Sequence, residues 1–300
     1  MAYELRDSPF FRLRSKAKLA DLLFISVEKL ESLANLTGSY YEFEKAKKSG
    51  GVRNISAPVE PLKQVQKRIA VLLQRITPPD YLFAPVSGRS YVDNAARHIG
   101  AQSVRLLDIE DFFPSCSVKK AAWLFANKLE CSPDVAAILC KLVTLKGALP
   151  QGSPASPILA YLCYLEMWSE IQQLVEEAGC TLSVYADDLT ISGDLVREEM
   201  IWKVKRTLFR HGHRYSREKE RSRRGRPVEV TGVILRREGV AAPNRQHQRI
   251  HELREELRHA TVEEAAHLKR KLTGRVAQLR QIRAGNEPAS PKPLVVSAKG

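Results

Sequence analysis

The chain has 300 residues, 44% hydrophobic and 27% charged, with a formal net charge of +14. That length and composition describe a globular protein of about two domains, or one domain with a smaller appendage, and no apolar run is long enough for a membrane-spanning helix. The positive excess lies in residues 201–300, which hold 25 Lys/Arg against 10 Asp/Glu, whereas residues 1–200 hold 23 against 24; a basic appendage on a near-neutral body points to a phosphate backbone as partner and not to a membrane.

The first residues, MAYELRDSPFFRLRSKAKLADLLF, carry scattered charges and no uninterrupted apolar segment, so no signal peptide is expected. Apolar residues at 19, 22, 23, 27, 30, 33 and 36 predict a helix over 19–36. Residues 40–58 alternate on both sides of a Ser-Gly-Gly turn, as a hairpin does. A helix over 61–76 follows, with Pro61 near its start and Pro78-Pro79 beyond its end. VRLLD (104–108) is a short strand ending on a carboxylate. AAWLFANKL and PDVAAILCKLVTL read as helices, and residues 153–179 as one long helix, apolar on most faces in its first half and therefore buried there. TLSVYADDLTISG is a hairpin, 197–212 an amphipathic helix and 228–243 a second hairpin. Two basic helices close the ordered part. The last begins with a capping box of Thr261 and Glu264, buries a stripe of Ala265, Leu268, Leu272, Val276 and Leu279, and holds its Lys and Arg mostly off that stripe. Residues 286–300 lack periodicity and are expected to form a loose tail. Five cysteines (116, 131, 140, 163 and 180) form no CxxC pair, so reduced, buried thiols in a cytoplasmic protein are expected. Helices and hairpins without a strict βαβ rhythm make the fold class α+β.

Within SVYADDLTISG (183–193), Asp187 and Asp188 stand side by side. Like charges that close oppose each other's ionisation. Either solvent at an exposed turn, the ordinary setting for Asp, or a bound cation must offset them. A second acidic cluster, VRLLDIEDFFPS, bears on the choice. If its strand pairs with an arm of the YADD hairpin, Asp108 and Asp187 converge on one edge. Three carboxylates without a nearby His or Cys ligand favour Mg²⁺, a hard cation that keeps substrate phosphates in its shell. Two such ions stabilise the attacking and leaving oxygens of an in-line phosphoryl displacement. One of Phe112 and Phe113 is expected in the core, because neighbours in an extended chain face opposite ways.

LLDIEDFF, LPQGSPASPILA and YADD, in that order, resemble motifs A, B and C of reverse transcriptases. VRNISAP with LKQVQKRI resembles the fingers segment, and REK (217–219) the motif carrying a palm lysine. NAARH (94–98) fits the NAxxH signature, and VTG (230–232) the companion tripeptide, of bacterial retron reverse transcriptases. The motifs cover most of residues 40–285. By this resemblance Asp108, Asp187 and Asp188 are the catalytic metal-binding triad, the Ile109 carbonyl completes the shell, and two Mg²⁺ ions are implied, with Mn²⁺ as substitute. Phe113 matches the aromatic gate beneath the sugar, and Gln151 and Gly152 the loop lining the nucleotide. Lys48 and Arg53 of the fingers hairpin are expected partners of the triphosphate. Lys219 would supply a proton or positive charge to the leaving pyrophosphate. Asn94, His98, Val230, Thr231 and Gly232 are expected to bind RNA or primer, as are Arg270, Arg275 and Arg280; His98 also reads as a buried, hydrogen-bonded histidine. The chain departs from the family's common pattern at Tyr161, where Asn is frequent, and at Glu220, where Thr is common.

The resemblance implies a right-hand polymerase. Residues 1–227 would form N-terminal helices, fingers and palm; 228–285 a primer-grip hairpin and basic helical thumb; and 286–300 the tail. Its implied partners are dNTPs and a structured noncoding RNA of the msr–msd type, primed from a 2′-hydroxyl of that RNA to give a branched RNA–DNA product (msDNA). An effector or toxin protein in defence against phage is a further implied partner. No fused RNase H is expected, so a host RNase H would remove the template. Two other readings remain: a generic reverse transcriptase of the group II intron kind, opposed by the short C-terminus, and an RNA-binding scaffold with a decayed polymerase site, opposed by the intact carboxylates.

Overall fold

A computed structural model describes residues 2–46 and 50–286; Lys48 and the predicted tail beyond Asn286 lie outside the described residues. Two short helices lead, α1 (Lys16–Leu23) and α2 (Val27–Ala34), in place of the single helix expected over 19–36. Phe24 ends the first in a left-handed conformation, and the Ser26 hydroxyl caps the second by accepting from the Lys29 N–H. The apolar period runs through this break because both helices bury the same kind of face. Strands β1 (Tyr40–Ala46) and β2 (Val52–Pro58) form the expected hairpin, with Lys45 opposite Arg53. Then come α3 (Glu60–Leu73), β3 (Leu82–Ala84), α4 (Tyr91–Ala96) and β4 (Ser103–Glu110).

A single turn, α5 (Phe112–Ser115), precedes α6 (Val118–Trp123), which runs into a π-helical turn over Leu124–Lys128. Helices α7 (Pro133–Val143), α8 (Ser156–Leu162) and α9 (Leu165–Glu177) follow. The long helix expected over 153–179 is thus two, broken at Cys163–Tyr164. Tyr164 leaves helical geometry while its ring packs 4.3 Å from His213 and its hydroxyl donates to the Ser115 carbonyl at 3.1 Å. Strands β5 (Thr181–Tyr185) and β6 (Asp188–Gly193), helix α10 (Glu198–Arg210) and strands β7 (Arg214–Tyr215) and β8 (Arg221–Arg224) complete the body. The expected hairpin at 228–243 has two turns and three antiparallel strands, β9 (Val228–Val230), β10 (Val233–Arg236) and β11 (Gly239–Ala241). Helices α11 (Asn244–Arg258) and α12 (Val262–Ala284) end the described chain. The capping box at Thr261 and Glu264 is present, and the predicted stripe on α12 is half-buried, with Ile282 added to it.

The central sheet runs β3-β5-β6-β4-β7, and β8 also pairs with β4. Its β4–β6–β5 heart is antiparallel, and the β3–β5 pair is parallel. The main core joins this sheet to α3, α7, α8, α9 and α10, with Trp168, Phe125 and Leu107 among its enclosed side chains. A smaller cluster of Val92, Ala95, Val104, Val230, Val233 and Ile282 seats the β9–β11 sheet and the end of α12 on α4 and β4. The α+β expectation matches the observed mixture of helices and mainly antiparallel strands. Four cysteines are buried, Cys180 is half-buried, and all five are free thiols. Among the described residues no helix is long and apolar enough to cross a membrane.

His98, just beyond α4, is 1% exposed and bridges the arms of the β5–β6 hairpin: Nε2 pairs with Ser183 Oγ at 2.7 Å and Nδ1 with Ser192 Oγ at 2.6 Å. Burial depresses its pKa to about 3, and that of His213, enclosed beside Phe112, to about 4. Below pH 6.5 the unfolded chain takes up protons that these folded imidazoles refuse. Their contribution to stability is therefore full above that pH and is lost as pH falls toward the folded values. His98→Gln should flatten the pH dependence of urea unfolding between about pH 6 and 4, by up to about 1.4 kcal/mol per pH unit. An unchanged slope would mean that the folded protein already protonates His98.

Candidate active site

The β5–β6 hairpin turns on two residues, Ala186 and Asp187, with Tyr185 opposite Asp188. Ala186 takes φ 57°, which closes the turn tightly and sets Asp187 at its tip. The antiparallel register of β4 against β6 puts Asp108 directly opposite Asp188. The Ile109 N–H donates to the Asp187 carbonyl at 2.9 Å, tying the tip of the hairpin to β4. Two segments far apart in sequence thereby bring three carboxylates to one corner of the sheet.

Burial pushes the Asp187 carboxyl above its ordinary range, and the charge of Asp108 adds to it. Asp188 is pushed up to about 7 by burial, then by Asp187 and Asp108. The main cation opposing this is Lys219, whose Nζ donates to both Asp108 oxygens at 2.9 and 2.8 Å. Burial alone would lower the Lys219 pKa, but its contacts with Asp108 and the charges of Asp187 and Asp188 hold it above the usual value. The lysine's turn is fixed on both sides. The Ser216 N–H donates to the Asp108 carbonyl at 2.9 Å, and Glu220 accepts from Lys205 Nζ at 2.8 Å on both oxygens and from Arg105 at 3.5 Å. This ion-pair network accounts for the acidic residue at position 220. Tyr161, the other departure, is buried with its hydroxyl 3.1 Å from that of Tyr81 and its ring stacked on Trp168.

Among the described residues no three His, Cys, Asp or Glu side chains stand at coordinating geometry. The donor chemistry nonetheless suits a hard divalent cation. All donors are carboxylate oxygens, burial and then mutual repulsion raise the pKa values of Asp187 and Asp188, and an ammonium already bridges the two oxygens of Asp108.

The walls come from the neighbouring segments. Phe112 is buried, edge-on to Trp168, whereas Phe113 is half-buried, so one ring is core as expected, but the two lie in the helical turn α5 and not in the extended chain from which that expectation came. The Gln151 carbonyl accepts from the Ser56 N–H of β2 at 2.8 Å. Gly152, at φ 131°, lies so close to β2 that a Cβ would stand 2.7 Å from the Ser56 carbonyl oxygen. Ser153 Oγ donates to the fully buried Gln66, which in turn donates to Tyr40 and to the Leu142 carbonyl. The 151–153 loop and the β1–β2 hairpin are therefore one assembly. Arg53 on β2 is exposed, and its charge acts on Asp187.

From Asp188 an open groove of about 620 Å³ runs past Tyr185, Arg221, Arg223, Thr231 and Gly232. Thr231 and Gly232 thus face the groove, and Val230 is core. Arg221 and Arg223 escaped the sequence reading. The signal was present: RSRR alternates, and strand period places its first and third residues on one face. Asn94 and His98 are each 1% exposed and bonded to protein groups, so nucleic acid reaches neither without breaking those bonds. Arg270, Arg275 and Arg280 are exposed along α12, off its half-buried stripe.

A paired-carboxylate turn on an antiparallel sheet, with a basic edge strand beside it, has the makings of a nucleotidyl-transfer site. The family model described as reverse transcriptase (RNA-dependent DNA polymerase) matches residues 45–235. The chain belongs to the reverse transcriptase family, whose members generally use divalent metal ions. It is 35% identical over 179 residues to the retron Se72 reverse transcriptase of Salmonella heidelberg (strain 579083-10), covering 59% of this chain and 47% of that protein. To the retron Mx65 reverse transcriptase of Myxococcus xanthus it is 36% identical over 220 residues, covering 65% and 51%. To the retron Ec86 reverse transcriptase of Escherichia coli it is 32% identical over 189 residues, covering 62% and 58%. The chain spans about half the length of these curated relatives.

Gly152→Ala should destabilise the protein by about 1–3 kcal/mol, since the new Cβ meets the Ser56 carbonyl and the backbone conformation itself disfavours a side chain. Urea unfolding measures this. A silent substitution would mean that the loop does not rest on β2.

Proposed function

We propose that the chain is an RNA-directed DNA polymerase of the retron kind, which copies part of a structured noncoding RNA into DNA from a 2′-hydroxyl of that RNA. The observation that carries the polymerase reading is the convergence of Asp108, Asp187 and Asp188 where β4 meets the β5–β6 turn. The retron reading is supported by NAARH at 94–98, VTG at 230–232 and the similarity to three retron reverse transcriptases.

Residues 1–227 would serve as N-terminal helices, fingers and palm, 228–285 as primer grip and thumb, and the rest as tail. Asp108, Asp187, Asp188 and the Ile109 carbonyl would hold two Mg²⁺ ions, or Mn²⁺ in their place, which when bound stabilise the charge on the attacking and leaving oxygens. Arg53 and Lys48 draw the triphosphate toward the carboxylates. Gln151 and Gly152, fastened to the strand that carries Arg53, line the sugar and base. Phe113 excludes a 2′-hydroxyl by occupying its space, and Lys219 moves from Asp108 to deliver a proton or positive charge to the departing pyrophosphate. Arg221 and Arg223 track phosphates along the groove, and the exposed arginines of α12 do the same along the duplex. The RNA partner is of the msr–msd type and the product a branched msDNA. A cytoplasmic setting, an effector protein in defence against phage and template removal by a host RNase H follow from the family resemblance.

Asp187→Asn should abolish metal-dependent dNTP incorporation on an RNA template and leave RNA binding largely intact. Undiminished synthesis would sink the polymerase assignment. The same assay on a folded noncoding transcript separates the retron reading, because its product carries a 2′-linked branch; DNA begun solely from 3′-hydroxyls would leave a polymerase that is not a retron enzyme.

Neutralising Arg270, Arg275 and Arg280 together should reduce the salt slope of duplex binding by up to about three charges' worth, near 0.9 each. Cognate and unrelated RNA should weaken alike, since phosphate contacts carry no sequence information. A loss confined to cognate RNA in salt-titrated binding would show that α12 reads shape or sequence.

A further inference from the structure

The β9–β10 turn consists of Thr231 and Gly232, with φ 47° and 88°. Two-residue hairpin turns with positive φ at both positions favour Asn-Gly or Gly-Gly. Threonine suits such a turn poorly, because a β-branched side chain is an outlier in the left-handed region. Its hydroxyl supplies what the backbone lacks: Oγ1 donates to the Tyr91 carbonyl at 3.0 Å and accepts from Asn94 Nδ2 at 3.3 Å. Asn94 is itself an anomaly. It is 1% exposed, and its Oδ1 has no hydrogen-bond partner among the described residues. A buried amide with an unpaired carbonyl oxygen is costly. The use that offsets this cost is its bond to Thr231.

The same short segment holds the catalytic hairpin. His98, four residues beyond Asn94, bonds Ser183 and Ser192 on the two strands that carry Asp187 and Asp188. Residues 91–98 thus grip the strands of the carboxylate hairpin with one side chain and the Thr231-Gly232 turn with another, and the groove is lined by Tyr185 and Asp188 of the first and by Thr231 and Gly232 of the second. We propose that Asn94 is a positioning residue: it holds Thr231 in the left-handed conformation and thereby sets the β9–β10 turn at its distance from Asp188, where the primer strand is received. The proposal rests on the polymerase reading above.

The test is steady-state extension of a DNA primer pre-annealed to an RNA template by the full chain, with KM measured separately for primer–template and for dNTP. Asn94→Ala should raise the primer–template KM on the order of threefold to tenfold, the effect of one net hydrogen bond, with the dNTP KM unchanged. Thr231→Val keeps the branch, loses the hydroxyl and should do the same. In the Thr231→Val background Asn94→Ala should cost nothing further, because the bond it removes is already gone.

Additive losses in the double variant would overturn the proposal, because they would place the role of Asn94 elsewhere. So would an Asn94→Ala protein with unchanged primer–template KM beside a Thr231→Val protein whose KM rises, since the hydroxyl would then touch nucleic acid directly. The absence of a further loss in the double variant separates positioning from general destabilisation, which a thermal melt of each variant would reveal as an equal loss in both backgrounds. A wild-type protein that extends no primer would overturn the polymerase reading and this proposal with it, whereas normal extension with additive losses would overturn the proposal alone.

Discussion

Three carboxylates meeting at a half-buried corner repel one another and lose hydration together, and much of the surrounding structure exists to hold them there. Burial and mutual charge raise the pKa values of Asp187 and Asp188, while the Lys219 ammonium on Asp108 supplies the opposing charge. A lysine on a loose loop would do this poorly. Here its turn is bound to the Asp108 carbonyl by Ser216, and Glu220 beside it is held by Lys205 and Arg105. The acidic residue next to Lys219 thus belongs to the support of the site. The Ile109 N–H on the Asp187 carbonyl completes the arrangement by fixing the hairpin tip against β4.

Beneath the hairpin the support is neutral. His98 keeps its imidazole uncharged by burial and spans two serines on the two arms of the hairpin. The segment that ends in His98 also seats the β9–β11 sheet through Val92 and Ala95. The corner holding the carboxylates and the sheet leading to the basic helices therefore share one foundation. The close approach of Gly152 to β2 and the buried Gln66 network fasten the β1–β2 hairpin to the 151–153 loop.

The charge distribution complements this geometry. The first two hundred residues are nearly neutral overall, and the excess lies in the last hundred, where β8 holds three arginines and no acid and α12 six Lys/Arg against two Glu. Arg221 and Arg223 bring positive charge to within one groove of Asp188, and the arginines of α12 extend it along an exposed helix.

The carboxylate pair at 187–188, the strand ending at Asp108, the hairpins and most helices were legible in the sequence, because each rests on a period or turn chemistry confined to a few neighbouring residues. The breaks at Phe24 and at Cys163–Tyr164 were not, since an apolar stripe continues across a kink when both pieces face one core. Nor was the second turn at 228–243 recognised. Tertiary structure alone decided that Asp108 stands opposite Asp188, that Lys219 reaches Asp108, that Gly152 rests on β2 and that Asn94 meets Thr231. Each of these joins residues from separate segments, and the register that brings them together is set by packing over the whole core, which no local pattern encodes.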